Sequence, residues 1–249
     1  MNEKMVEFVK WFSELDKNSA KIAGGKGANL SEMYNMKIPV PPGFVVTTRA
    51  YDYFITNAKL DVKIAETLGR IDYENTKKLD ELTKQIRALI VESKFPKEME
   101  EEIIEAYGNL SANEGNSEEE NPLEVLKMQE PTFVAVRSSA NSEDSAEASF
   151  AGQQDSFINV KGNENLLKNI RKCFASLFTS RATYYRHKKG FAHDKTSLAV
   201  VVQKMVDSDK SGVVFSKDPS YKNDNIIIEA VWGLGEGIVS GRITPDKYI

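Results

Sequence analysis

"AKIAGGKGANLSEM", residues 20–33, sets three glycines around Lys26 and runs on into residues with helical spacing. Glycines let backbone N–H groups approach an anion closely, and a lysine adds a point charge. A glycine turn that merely starts a helix has the same composition. The stretch is not a Walker A loop: Gly27, Ala28, Asn29 and Leu30 follow Lys26 where G-x-x-x-x-G-K-[ST] needs Ser or Thr. Leu30, Met33 and Met36 supply the helical period. The rest of the chain has to decide between a phosphate grip and an ordinary turn.

Outward from this stretch, Pro39, Pro41 and Pro42 stop the helix, and "GFVVTT" (43–48) is β-branched and strand-like. Thr48 is placed to cap a second helix over "RAYDYFITNA". From 62 to 110 the pattern is helical only, with Leu79, Leu82, Ile86 and Ile90 on one stripe and a further amphipathic run after Pro96. Residues 111–130 carry six glutamates against one lysine and no period, which reads as an acidic surface loop rather than a partner-binding segment. β-Rich runs follow at 132–136, 155–160, 197–206, 211–217 and 225–232. Between the second and third lies one helix, roughly 163–189, with Leu166, Ile170, Phe174, Leu177, Phe178, Ala182 and Tyr185 as its buried face.

Composition narrows the class. At 249 residues the chain can bury a large core as one domain or two lobes, and its net charge of −4 argues against a general nucleic-acid binder. Cys173 is the only cysteine, which excludes an intramolecular disulfide, and its setting in "IRKCFASLF" fits an apolar helix face better than a catalytic thiol. No secretory signal and no membrane-spanning run stand in the sequence, so a cytoplasmic location is the expectation.

Several residues could carry chemistry. Arg137 ends an apolar strand before "SSANSED", a position that suits bidentate phosphate recognition and equally suits a structural salt bridge to Glu143 or Asp144. Ser138 and Ser139 could add hydroxyl donors or simply form the turn. "ASFAGQQDSF" (148–157), with Ser149 and Gly152, is a small-residue loop that could cradle an oxyanion or close a hairpin. Gln203 and Met205 sit on a strand that could meet an adenine edge, although a plain strand with a polar outer face has the same look. Glu236, in "VWGLGEGIVSG", could accept ribose hydroxyls; its glycine spacing is not a Rossmann fingerprint. His187 and His193 lack ligand-spaced partners and read as surface histidines.

Four of these stretches resemble a known family in the same order: "GGKGANLSEM…IPVPPGFVVTT", "VAVRSSANSEDSAEASFAGQQDSF", "VQKMV…SGVVFS" with a following "DP", and "WGLGEGIVSG". They are similar to the N-terminal ATP-binding domain of the phosphoenolpyruvate synthase and pyruvate phosphate dikinase family, a domain that rifampicin phosphotransferases share. The likeness runs from about residue 8 to the end, and the "RSSA" to "AGQQ" block looks most like phosphoenolpyruvate synthases. It implies an α/β (α+β), ATP-grasp-like fold of two lobes around ATP. On that frame 1–62 plus 131–195 is the first lobe, 63–110 a helical insert, 111–130 the acidic loop and 196–249 the start of the second lobe. The resemblance puts Lys26 and Arg137 on the ATP phosphates as the catalytic pair, and Gly152, Ser156 and Ser149 at the phosphate loop. It puts Gln203 at the adenine end, Met205 on the linker between lobes and Glu236 at the ribose.

The implied reaction is a kinase-type transfer with paired acceptors: ATP, pyruvate and water give AMP, phosphoenolpyruvate and phosphate through a phosphohistidine. The histidine domain and the pyruvate domain are expected elsewhere in the full-length chain, which could be a homodimer. Mg2+ ligands are expected downstream of "TPDKYI", with no metal ligand here, so the 249 residues are read as C-terminally incomplete and inactive alone. The alternatives are pyruvate phosphate dikinase or antibiotic phosphotransferase chemistry on the same ATP domain. A stand-alone nucleotide-binding or interaction module is the alternative of another class.

Overall fold

Five strands build the first sheet: β1 (Val9–Trp11), β2 (Gly43–Val46), β3 (Val134–Ala140), β4 (Ser156–Val160) and β5 (Leu198–Lys204), in the order β1-β2-β5-β3-β4. Every neighbouring pair is antiparallel. The computed structural model describes residues 7–112, 131–140, 155–193, 196–220 and 223–249. It divides into two compact units, Met1–Met205 and Val206–Ile249.

β5 explains the first unit. "LAVVVQ" is buried along its length, because both faces of this central strand are covered. It bonds to β2 on one side and β3 on the other, with Val45 opposite Val201 and Arg137 opposite Val201 across the two ladders. The family resemblance implies a second lobe from residue 196; in the structure β5 sits inside the first sheet, and the division into compact units falls after Met205.

One sheet face carries the large core. Phe44, Val46, Val134, Val136, Leu198, Val200 and Val202 pack with residues of α2 (Thr48–Asn57), α3 (Leu60–Gly69), α4 (Thr76–Glu92), α5 (Lys97–Ala112) and α6 (Asn163–Ser176). The expected α4 stripe is buried at Leu79, Leu82, Ile86 and Ile90. Phe54, Phe95 and Phe174 meet at its centre, with ring centroids 4.7–6.1 Å apart.

The opposite face carries a smaller cluster. Val45, Ala199 and Val201 pack with Phe12, Leu15 and Ala23, under α1 (Ala20–Asn35). α1 buries Ala23, Gly24, Gly27, Ala28 and Ser31 rather than the expected Leu30, Met33 and Met36 stripe. Leu30 and Met33 are half-buried and Met36 is exposed. The reason is clearance: a Cβ on Gly27 would stand 3.2 Å from Val45 Cγ2, so only small residues let the helix lie this low.

Two local expectations change. Thr47, not Thr48, caps α2 by accepting from Ala50 N at 3.2 Å, while Thr48 Oγ1 donates to Lys21 O. The single helix predicted over 163–189 is two, α6 and α7 (Ser180–Lys189). Short bonds such as Phe178 N to Ala175 O tighten the chain, and Thr179 then caps α7 by accepting from Ala182 N. Leu177 and Phe178 stay buried through the break, so apolar periodicity alone runs straight across it.

The second unit is an antiparallel sheet, β6 (Lys210–Phe215), β7 (Ile227–Trp232) and β8 (Asp246–Tyr248), with the one-turn helix α8 (Glu236–Val239). Among the described residues, no helix is long and apolar enough to cross a membrane.

Candidate functional site

α1 is broken where its glycines fall. Gly24 has φ 68° and ψ 172°, a conformation essentially reserved for glycine, and the helix resumes after it. The break brings Lys26 onto β3, where its Nζ donates to Ser138 O at 3.1 Å. Gly27 N donates to Ser139 Oγ at 3.1 Å, and that hydroxyl donates to Ala23 O at 2.8 Å. Ser138 Oγ donates to Asp155 O at 3.0 Å. Both serine hydroxyls therefore bond within the protein instead of standing at the turn as free donors.

Strand alternation sets the rest of the site. Arg137 lies two residues before Ser139 and so shares its sheet face, the one under α1. Ser156 stands directly opposite Arg137 across the β3–β4 ladder. Gln203, two residues beyond Val201 on β5, falls on the same face and is nearly buried. Its Nε2 donates to Pro41 O at 3.1 Å, extending the β2–β5 pairing into the proline loop. Lys26, Arg137, Ser156 and Gln203 thus gather on one face of one sheet, two cations among them. Arg137 is half-buried there.

The remaining candidates lie elsewhere. Met205 N donates to Phe133 O at 2.9 Å, and Met205 is the last residue of the first unit. Glu236 is exposed at the start of α8 in the second unit, which is described by itself. Ser149 and Gly152 lie outside the described residues, as do Glu143 and Asp144.

Cys173 is fully buried, its Sγ 3.8 Å from Val136 O; burial, followed by the charge of Asp155, pushes its thiol well above the ordinary range. It is a core residue rather than a nucleophile. The histidines are not both surface groups. His187 is exposed and stacks on Tyr73 at 3.6 Å, but His193 is half-buried, accepting from Arg186 Nε at 3.1 Å and meeting Tyr73 OH at 3.1 Å. Arg186 is buried to 1% exposure where the sequence pattern expects Tyr185, which is half-buried; its signal is the spacing, since it follows Phe174, Phe178 and Ala182 at intervals of four. Among the described residues, no three His, Cys, Asp or Glu side chains gather as a metal-binding group.

Comparison with known proteins supplies the context for this face. The profile of the family described as "Pyruvate phosphate dikinase, AMP/ATP-binding domain" matches residues 20–249. A probable phosphoenolpyruvate synthase of Methanocaldococcus jannaschii is 49% identical over 245 residues, covering 98% of this chain and 20% of the relative. A probable phosphoenolpyruvate synthase of Methanothermobacter thermautotrophicus is 46% identical over 99% of this chain and 34% of its own. The phosphoenolpyruvate synthase of Pyrococcus furiosus is 45% identical over 97% of this chain and 32% of its own. The chain therefore spans about a fifth to a third of the length of these curated relatives.

Proposed function

The chain belongs to the pyruvate phosphate dikinase AMP/ATP-binding domain family, and on that premise we propose that Lys26 and Arg137 grip the phosphates of ATP on the α1 face of the first sheet. The observation that carries this is the convergence of two cations with Ser156 and Gln203 on one sheet face. A guanidinium offers a planar fork and an ammonium a point charge, a combination suited to a polyphosphate. Ser156 adds a hydroxyl opposite Arg137, and Gln203 with Met205 marks the adenine end. Glu236 serves the ribose, and Ser149 and Gly152, outside the described residues, would complete the phosphate cradle.

The full-length protein, in this proposal, is a phosphoenolpyruvate synthase: ATP, pyruvate and water yield AMP, phosphoenolpyruvate and phosphate through a histidine on another domain. The part played by these residues is to hold the polyphosphate in line with its acceptor and to neutralise charge that develops on the transferred group. A divalent cation bound with ATP would share that neutralisation. Its carboxylate ligands do not cluster among the described residues, and the roles given to Lys26 and Arg137 stand without it.

Calorimetric titration of the full-length protein with ATP tests the grip. Saturable one-to-one binding is expected, weakened about 10- to 100-fold by K26M and by R137M, the range for hydrogen bonds to charged groups. Unchanged affinity in both variants overturns it. Pyruvate-dependent AMP release without added phosphate is the expected activity; an absolute requirement for phosphate would reassign the protein to the dikinase reaction.

A further inference from the structure

We propose that Ser139 is a positioning residue: its hydroxyl is spliced into the hydrogen-bond ladder of α1 and sets where Lys26 points. In an unbroken helix the N–H of residue 27 would donate to the carbonyl of residue 23. Here that bond is replaced by a relay through a side chain from a different element, Gly27 N to Ser139 Oγ and Ser139 Oγ to Ala23 O. A serine hydroxyl has one proton to give and lone pairs to receive, and this geometry uses both. Insertion of a side chain into the ladder is an established cause of a helix kink.

The fit is reciprocal. A Cβ on Gly24 would fall onto the carbonyl oxygen and Oγ of Ser139, so this approach of the serine is open only to glycine at position 24. Ser139 is fully buried, which keeps water from taking its place in the relay. The preceding residue on the strand, Ser138, receives the Lys26 ammonium on its carbonyl. Two consecutive residues of β3 thus hold the lysine twice, once by its side chain and once through the opened backbone one residue away.

The inference rests on the reading that Lys26 contacts ATP phosphates, and the test separates the two. ATP affinity is measured by calorimetry in the full-length protein for wild type, S139A, K26M and S139A/K26M, with S139C as the variant that keeps the side-chain shape but bonds more weakly. S139A is expected to weaken ATP binding about fivefold to tenfold, the loss of one or two modest hydrogen bonds, with S139C in between. On the K26M background the same substitution should change affinity less than twofold, because the group it positions is gone. If K26M leaves affinity unchanged, the phosphate reading fails. If K26M weakens binding but S139A and S139C do not, or if S139A costs as much on either background, Ser139 only supports the fold and the inference is overturned. Should S139A not fold, S139C carries the same cycle.

Discussion

Arg186 Nε donates to His193 Nδ1 at 3.1 Å, so a buried guanidinium is held by a neutral imidazole rather than by a carboxylate. A guanidinium only donates, which leaves the proton of the neutral ring on Nε2, facing Tyr73 OH at 3.1 Å. Arg186 also donates to Leu177 O through Nη2 and lies 5.6 Å over the Phe178 ring. Burial pushes its pKa down to about 10. His193→Ala removes one partner of this buried cation and is expected to cost about 2–3 kcal/mol. R186M/H193L should recover part of that loss, because the charge leaves together with its partner. Thermal melts check both; a double variant no more stable than H193A contradicts this account.

Asp52 lines a cavity of about 190 Å3 with Tyr51, Ile55, Ile64 and Phe178, and accepts from Ser197 Oγ at 2.7 Å. Asp52 keeps an exposed edge, and partial desolvation raises its pKa above the ordinary 3.8, with the Ser197 bond opposing this. The folded state therefore takes up the proton more readily than the unfolded one. Its contribution to stability is fully present below 3.8 and is lost as pH rises through the folded value. D52N keeps an acceptor for Ser197 and cannot ionise, so it should melt above wild type at pH 7. The difference should shrink as the pH falls towards 3.8; an equal gap at both ends would refute the sign.

These cases mark what could be read from sequence and what could not. Leu79, Leu82, Ile86 and Ile90 declared their face because a helix stripe is a local pattern, and the β-branched runs declared their strands for the same reason. Lys26 and Arg137 stand out by type and setting and Ser156 only through the family resemblance, yet their common face depends on the β3–β4 and β3–β5 registers, which pair residues far apart in sequence. The roles of Ser139 and Arg186 were hidden because each is defined by a partner on another element. The α6–α7 break was hidden because burial continues across it while the backbone turns.

Gly24→Ala should cost about 3 kcal/mol or more, since strain at this φ of 68° adds to a collision with Ser139. Gly27→Ala meets milder crowding, 3.0 Å from Ala23 Cβ and 3.2 Å from Val45 Cγ2, and should cost about 1–3 kcal/mol. Denaturant unfolding ranks the two, and a Gly27 variant more damaging than the Gly24 variant would reverse the assignment of the kink.

Arg137→Lys keeps the charge beside Ser156 but loses the fork, so its ATP affinity should fall about tenfold, between wild type and R137M. Titrations across a range of salt check this: equal affinity for R137K and wild type would mean that only charge at this position matters.

The α1 face of the sheet holds Ala23, Gly24, Gly27, Ala28 and Ser31 against Val45, Ala199 and Val201, whereas the other face holds the aromatic core. Rotamer changes and volume fluctuations in the large core have few long side chains through which to reach Lys26, because Gly24 and Gly27 lie against Ser139, Val45 and Val201 with no side chain of their own. The height of the lysine above the sheet is consequently set by a few short contacts, and the protein can accept drift in its aromatic core while the spacing at Gly24 and Gly27 has little slack.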